Sequence, residues 1–99
     1  MRATLLVVDD EINIREGLAQ LFSLEGYDVK TAKDGLEGKM IVDKEDIDVV
    51  ITDYKMGRMS GLDLLQYIVS THPGIPVIIL TAHGSVDKAV EAMREGAFD

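Results

Sequence analysis

The chain has 99 residues, 46% apolar and 28% charged, with a formal net charge of −8 and no cysteine. These values fit one small globular domain near the lower size limit for a single hydrophobic core, and they exclude disulfides and thiolate metal sites. The acidic balance disfavours direct nucleic-acid binding, which needs a Lys/Arg surface, and no apolar run approaches the roughly 20 residues that span a bilayer.

The first apolar run, Leu5-Leu6-Val7-Val8, ends in Asp9 and Asp10. It is too short and too acidic at its end for a signal peptide, so a cytoplasmic location is the default expectation. Continuous rather than alternating apolarity predicts a strand covered on both faces of a parallel sheet. A helix follows, with Ile14, Leu18, Leu21 and Phe22 expected on its inward face and Gly26 as its stop. Asp28–Ala32, of mixed polarity, reads as an edge strand. The next helix runs from about Gly35 to Lys44, with Leu36, Met40 and Ile41 expected inward and Gly38 weakening it by roughly 1 kcal/mol relative to Ala.

Val49-Val50-Ile51-Thr52 is a third strand and ends at Asp53. A helix with Leu62, Leu65, Ile68 and Val69 expected on one face ends at His72-Pro73-Gly74. A fourth strand, Val77-Ile78-Ile79-Leu80, meets Thr81. The last helical pattern begins at Ser85, carries Val86, Ala89, Val90 and Met93, and ends at Gly96. Strands and helices alternate with short connections, which predicts an α/β doubly wound parallel sheet. At Gly96-Ala97-Phe98-Asp99 the pattern is that of a chain approaching a further strand.

Ligands of such sheets bind beyond the carboxyl ends of the strands. Asp9, Asp10, Asp53 and Thr81 all stand at those ends. Each alone is an ordinary residue of its place: a strand-end aspartate commonly caps the next helix. Jointly they predict one acidic pocket. Two unit charges about 5 Å apart repel by roughly 3 kcal/mol at an effective dielectric near 20, so protonation or a cation must offset them. An all-oxygen donor set suits Mg²⁺, and a neutralised carboxylate becomes a plausible nucleophile toward phosphorus.

Val8-Asp9-Asp10-Glu11, Asp53-Tyr54-Lys55-Met56, Ser60-Gly61 and Leu80-Thr81-Ala82-His83-Gly84 together resemble the response-regulator receiver family, from Leu5 to Asp99. The resemblance implies a flavodoxin-like sheet of order 2-1-3-4-5, of which strand five and helix five would be missing here, making 1–99 a truncated receiver domain. It implies Asp53 as acceptor of a phosphoryl group from a histidine kinase or small phosphodonor. It assigns Mg²⁺ to the side chains of Asp10 and Asp53 and the Lys55 carbonyl, with Asp9 assisting. Thr81 would be the switch hydroxyl, and the Ala82 amide would meet the phosphoryl group.

The segment 82–93 further resembles receivers of the nitrogen-regulatory class, which control transcriptional activators through an output domain of the same protein. The result would be a switch of a protein–protein surface, not an enzyme. The chain departs from the family in having Gly57 where proline is usual and in lacking the lysine that ends strand five. The alternative is therefore a phosphorylation-independent interaction module, pairing as a homodimer through the fourth-strand edge or the fourth helix.

Overall fold

The computed structural model describes residues 2–54 and 59–80. Within them the order is β1 (Thr4–Val8), α1 (Ile12–Leu24), β2 (Asp28–Ala32), α2 (Gly35–Lys44), β3 (Val49–Asp53), α3 (Gly61–Thr71) and β4 (Val77–Leu80). All pairings are parallel and the sheet order is β2-β1-β3-β4. This is the doubly wound α/β sheet expected from the alternation, with the mixed-polarity β2 at an edge.

The apolar strands are buried on both sides, and successive residues serve different layers. Leu5 and Val7 join Leu18, Phe22, Ile51 and Ile78 on the α1 side. Leu6 and Val8 join Val42, Val50, Leu64 and Ile68 on the side of α2 and α3. Helix α1 ends as Gly26 predicts. Gly26 N–H donates to the Ser23 carbonyl at 3.0 Å and Tyr27 N–H to that of Phe22 at 3.1 Å, with Gly26 at φ 99°. The Tyr27 and Phe22 rings meet edge to face across this turn, which completes a Schellman end.

The helix faces agree with expectation in part: Ile14, Leu18 and Phe22 of α1, Ile41 of α2 and Ile68 of α3 meet the core, and other expected residues do not. Leu21, Leu36, Met40, Leu62 and Val69 are exposed, Met40 by 52% and Val69 by 60%. The buried positions are Gly35, Gly38 and Val42 on α2, and Gly61, Leu64 and Ile68 on α3. Both inward stripes begin on a glycine, one residue before the leucine that was expected there. The cause lies at close approach. A Cβ on Gly38 would come within 3.2 Å of a Leu64 methyl and 3.3 Å of a Val8 methyl. The missing side chain lets α2 settle against β1 and α3, an advantage that opposes its intrinsic helix cost. The fourth helix from Ser85, and the chain end at 96–99, lie outside the described residues.

Candidate metal centre

Strands β1 and β3 are neighbours with Val8 opposite Thr52. Asp9 and Asp53 therefore leave the sheet side by side, and Asp10 follows at once. Asp9, Asp10 and Asp53 each bring a carboxylate oxygen within 4.8 Å of the others. Asp9 is only 4% exposed, Asp53 is half-buried and Asp10 is exposed. Burial pushes the Asp9 carboxyl above its usual range. A hydrogen bond from Glu11 N–H opposes the shift, and the charges of Asp53, Asp10 and Glu11 reinforce it.

Local bonds fix these positions. Asp9 N–H continues the sheet ladder by donating to the Ala32 carbonyl at 3.1 Å. The Asp9 side chain accepts from Glu11 N–H at 2.9 Å, and the Asp9 carbonyl accepts from the Arg15 guanidinium at 2.9 Å. The N-cap of α1 is Glu11, whose carboxylate accepts from Asn13 N–H. Neither Asp9 nor Asp10 is the N-cap, so the ordinary capping role does not account for the pair.

Asp53 sits on an equally constrained turn. Tyr54 N–H donates to Asp53 Oδ1 at 2.9 Å and reaches the Leu80 carbonyl at 3.1 Å, tying the ends of β3 and β4. Gly61 N–H donates to the Tyr54 carbonyl at 3.0 Å, which brings the start of α3 back against the end of β3. A Cβ on Gly61 would overlap the Asp53 carbonyl and press on Thr52 Oγ1. Only glycine permits that approach. Ser60 and Asp63 form a reciprocal capping box that pins the helix start. Met59, at φ 61°, accepts from Gly35 N–H at 3.1 Å, so the same loop also rests on α2.

Among the described residues, the donors that cluster at this end are carboxylate oxygens, without nitrogen or sulfur. Such a set fits a small hard dication. Three converging carboxylates, one of them buried, repel one another by about 3 kcal/mol per ionised pair at an effective dielectric near 20. Lys55, Thr81 and Ala82, the remaining residues expected at the site, lie outside the described residues.

Sequence reading missed two features. Arg15 is the first. Its signal was a cation in the first turn of a helix, where the positive end of the dipole disfavours it. The second lies at the opposite end of the sheet, where the Asp43 carboxylate accepts from Tyr67 Oη at 2.7 and 2.8 Å and meets His72 Nε2 at 2.8 Å. Lys39 Nζ lies 4.7 Å from the centre of the Tyr67 ring. Among the described residues, no helix is long and apolar enough to cross a membrane.

Residues 5–99 match the family model for the response regulator receiver domain. The transcriptional regulatory protein GlrR of Escherichia coli is 45% identical over 96 residues, spanning 97% of this chain and 22% of that protein. A receiver domain protein of Clostridium thermocellum is 45% identical with a TM-score of 0.76, covering 97% of this chain and 78% of that one. TrrA of Thermotoga maritima, solved in complex with Mg²⁺ and BeF, is 34% identical with a TM-score of 0.79, over 92% of this chain and 79% of that one.

Proposed function

From the premise that the chain belongs to the response regulator receiver family, we propose that it is a phosphoacceptor switch, with Asp53 the residue phosphorylated in a Mg²⁺-dependent reaction. The observation that carries this reading is the convergence of Asp9, Asp10 and Asp53 within 4.8 Å at the ends of adjacent strands. Asp9, Asp10 and Asp53 would hold the ion. When bound, Mg²⁺ neutralises the clustered carboxylates and the oxygens of an incoming phosphoryl group. The Mg²⁺-BeF complex of TrrA supports the same choice of ion.

In the reaction, a carboxylate oxygen of Asp53 attacks phosphorus. The new O–P bond forms as the bond from phosphorus to the donor breaks, and the donor leaves with that electron pair. The product is an aspartyl phosphate. The hydrogen bond from Tyr54 N–H holds Oδ1 of the acceptor, and the Gly61 contact fixes its backbone. The reading assigns donation to a histidine kinase or a small acyl phosphate. It assigns Thr81, Ala82 and the Lys55 carbonyl the roles that the family resemblance gives them. The output is a changed protein surface that would act on an output domain in a longer protein, since the chain spans about a fifth of the length of relatives such as GlrR and PilR.

Intact-mass measurement after incubation with acetyl phosphate and Mg²⁺ tests the reading. One phosphoryl increment is expected on the wild type, and none on Asp53→Asn or after chelation. An unmodified wild type that is folded and binds Mg²⁺ would favour the phosphorylation-independent interaction module instead.

A further inference from the structure

We infer that Arg15 is a positioning residue of the cation site, acting through the peptide that joins Asp9 to Asp10; the inference rests on the Mg²⁺ reading above. The Arg15 guanidinium donates to the Asp9 carbonyl at 2.9 Å in a half-buried setting. That carbonyl and the Asp10 N–H belong to one rigid peptide plane. Holding the carbonyl therefore sets the direction in which Asp10 leaves the strand. Asp10 is the exposed member of the cluster, whereas Asp9 is buried and held by Ala32 and Glu11. A clamp on this peptide acts where the cluster is otherwise least constrained.

The placement of Arg15 runs against the helix dipole. It occupies the fourth position of α1, and α1 carries no acidic residue in its first turn. A cation there faces the positive end of the helix dipole. It also stands close to the site where a dication would bind, so its charge alone opposes binding. A charge-assisted hydrogen bond to the one carbonyl between two ligand residues accounts for a guanidinium at this position. Loss of such an outer partner typically weakens metal affinity by about 10- to 100-fold.

The two effects of Arg15 have opposite signs, which makes them separable. Mg²⁺ affinity would be measured by calorimetry on the wild type, Arg15→Met and Arg15→Lys, with thermal melts in chelator to confirm the fold. At least about 10-fold weaker binding is expected for Arg15→Met, and recovery of most of the loss for Arg15→Lys, which restores a donor. Equal or tighter binding by Arg15→Met, beside a wild type that binds, overturns the positioning role. If Arg15→Met does not fold, Arg15→Gln replaces it, since it drops the charge and shortens the donor arm. Weaker binding is again expected, and equal or tighter binding again overturns the role. A wild type that fails to bind Mg²⁺ overturns the cation-site reading, and this inference falls with it.

Discussion

The two ends of this sheet treat a carboxylate in opposite ways. At the carboxyl end, Asp9 is buried beside Asp53 and Asp10, and its carboxyl is pushed up by burial and by like charge. At the amino end, Asp43 is matched to the His72 ring and the Tyr67 hydroxyl, and those bonds hold its carboxyl below the usual range. One residue type is thus left under tension on one side and satisfied on the other. A structural carboxylate is supplied with donors by its own fold, as Asp43 is between α2 and α3. A carboxylate crowded with others marks a place where the fold awaits a positive partner.

The sharpest way to break the acidic end is through its backbone. Gly61 lies against the Asp53 carbonyl with no space for a side chain. Gly61→Ala must push α3 off the end of β3, and overpacking of this kind typically costs about 1–3 kcal/mol. A fall in Tm is expected together with loss of acetyl phosphate labelling, because Asp53 moves with its carbonyl. An alanine variant with unchanged Tm and full labelling would show that the close approach is not required. The Asp43 cluster sits at the far end and should keep its own pH response in this variant.

A milder substitution sharpens the comparison by its dependence on the ion. Asp9→Asn keeps an oxygen for the Glu11 N–H while removing one of the crowded charges. The raised Asp9 carboxyl means the folded chain holds this proton more tightly than the unfolded one. Stability attributable to Asp9 is therefore full below pH 3.8 and falls as pH rises through the folded value. At neutral pH in chelator, Asp9→Asn should melt about 5 °C above the wild type. Saturating Mg²⁺ should raise the wild-type Tm and leave the variant nearly unmoved. A variant that melts lower in chelator would mean that Asp9 is not under the tension described.

The same physical split explains what the sequence revealed. Strands were legible because burial on both faces writes a continuous apolar run, as in Leu5–Val8 and Val49–Ile51. The acidic cluster was legible because neighbouring strands of a parallel sheet deliver their terminal residues to one place. The α1 face was legible through Leu18 and Phe22, but those of α2 and α3 were read only in part, because their inward stripes begin on Gly35, Gly38 and Gly61. A reading that counts apolar side chains passes over glycines and selects Leu36 and Leu62 instead. Asp43 and His72 were hidden for another reason. They are separated by 29 residues, and each alone is an ordinary surface residue of a helix end.

The Asp43 cluster offers the smallest effect and the cleanest sign. Hydrogen bonds from His72 and Tyr67 lower the Asp43 carboxyl below 3.8, so its contribution is present above about that pH and is lost as pH falls through the folded value. The bond to Asp43 raises the Tyr67 hydroxyl above 10.0, so that contribution is full below pH 10.0 and fades as pH rises through the folded value. The staple between α2 and α3 thus operates across the interval between the two. Because Asp43 is exposed and its bonds are screened, Asp43→Asn should lower Tm at pH 7 by only about 2 °C, with the difference from wild type shrinking below pH 4. Asp43→Asn combined with Tyr67→Phe should cost less than the sum of the single changes, since both remove the same bond. Strict additivity, or an undiminished difference at pH 3, would show that Asp43 is no better satisfied than Asp9, and the contrast between the two ends would fail.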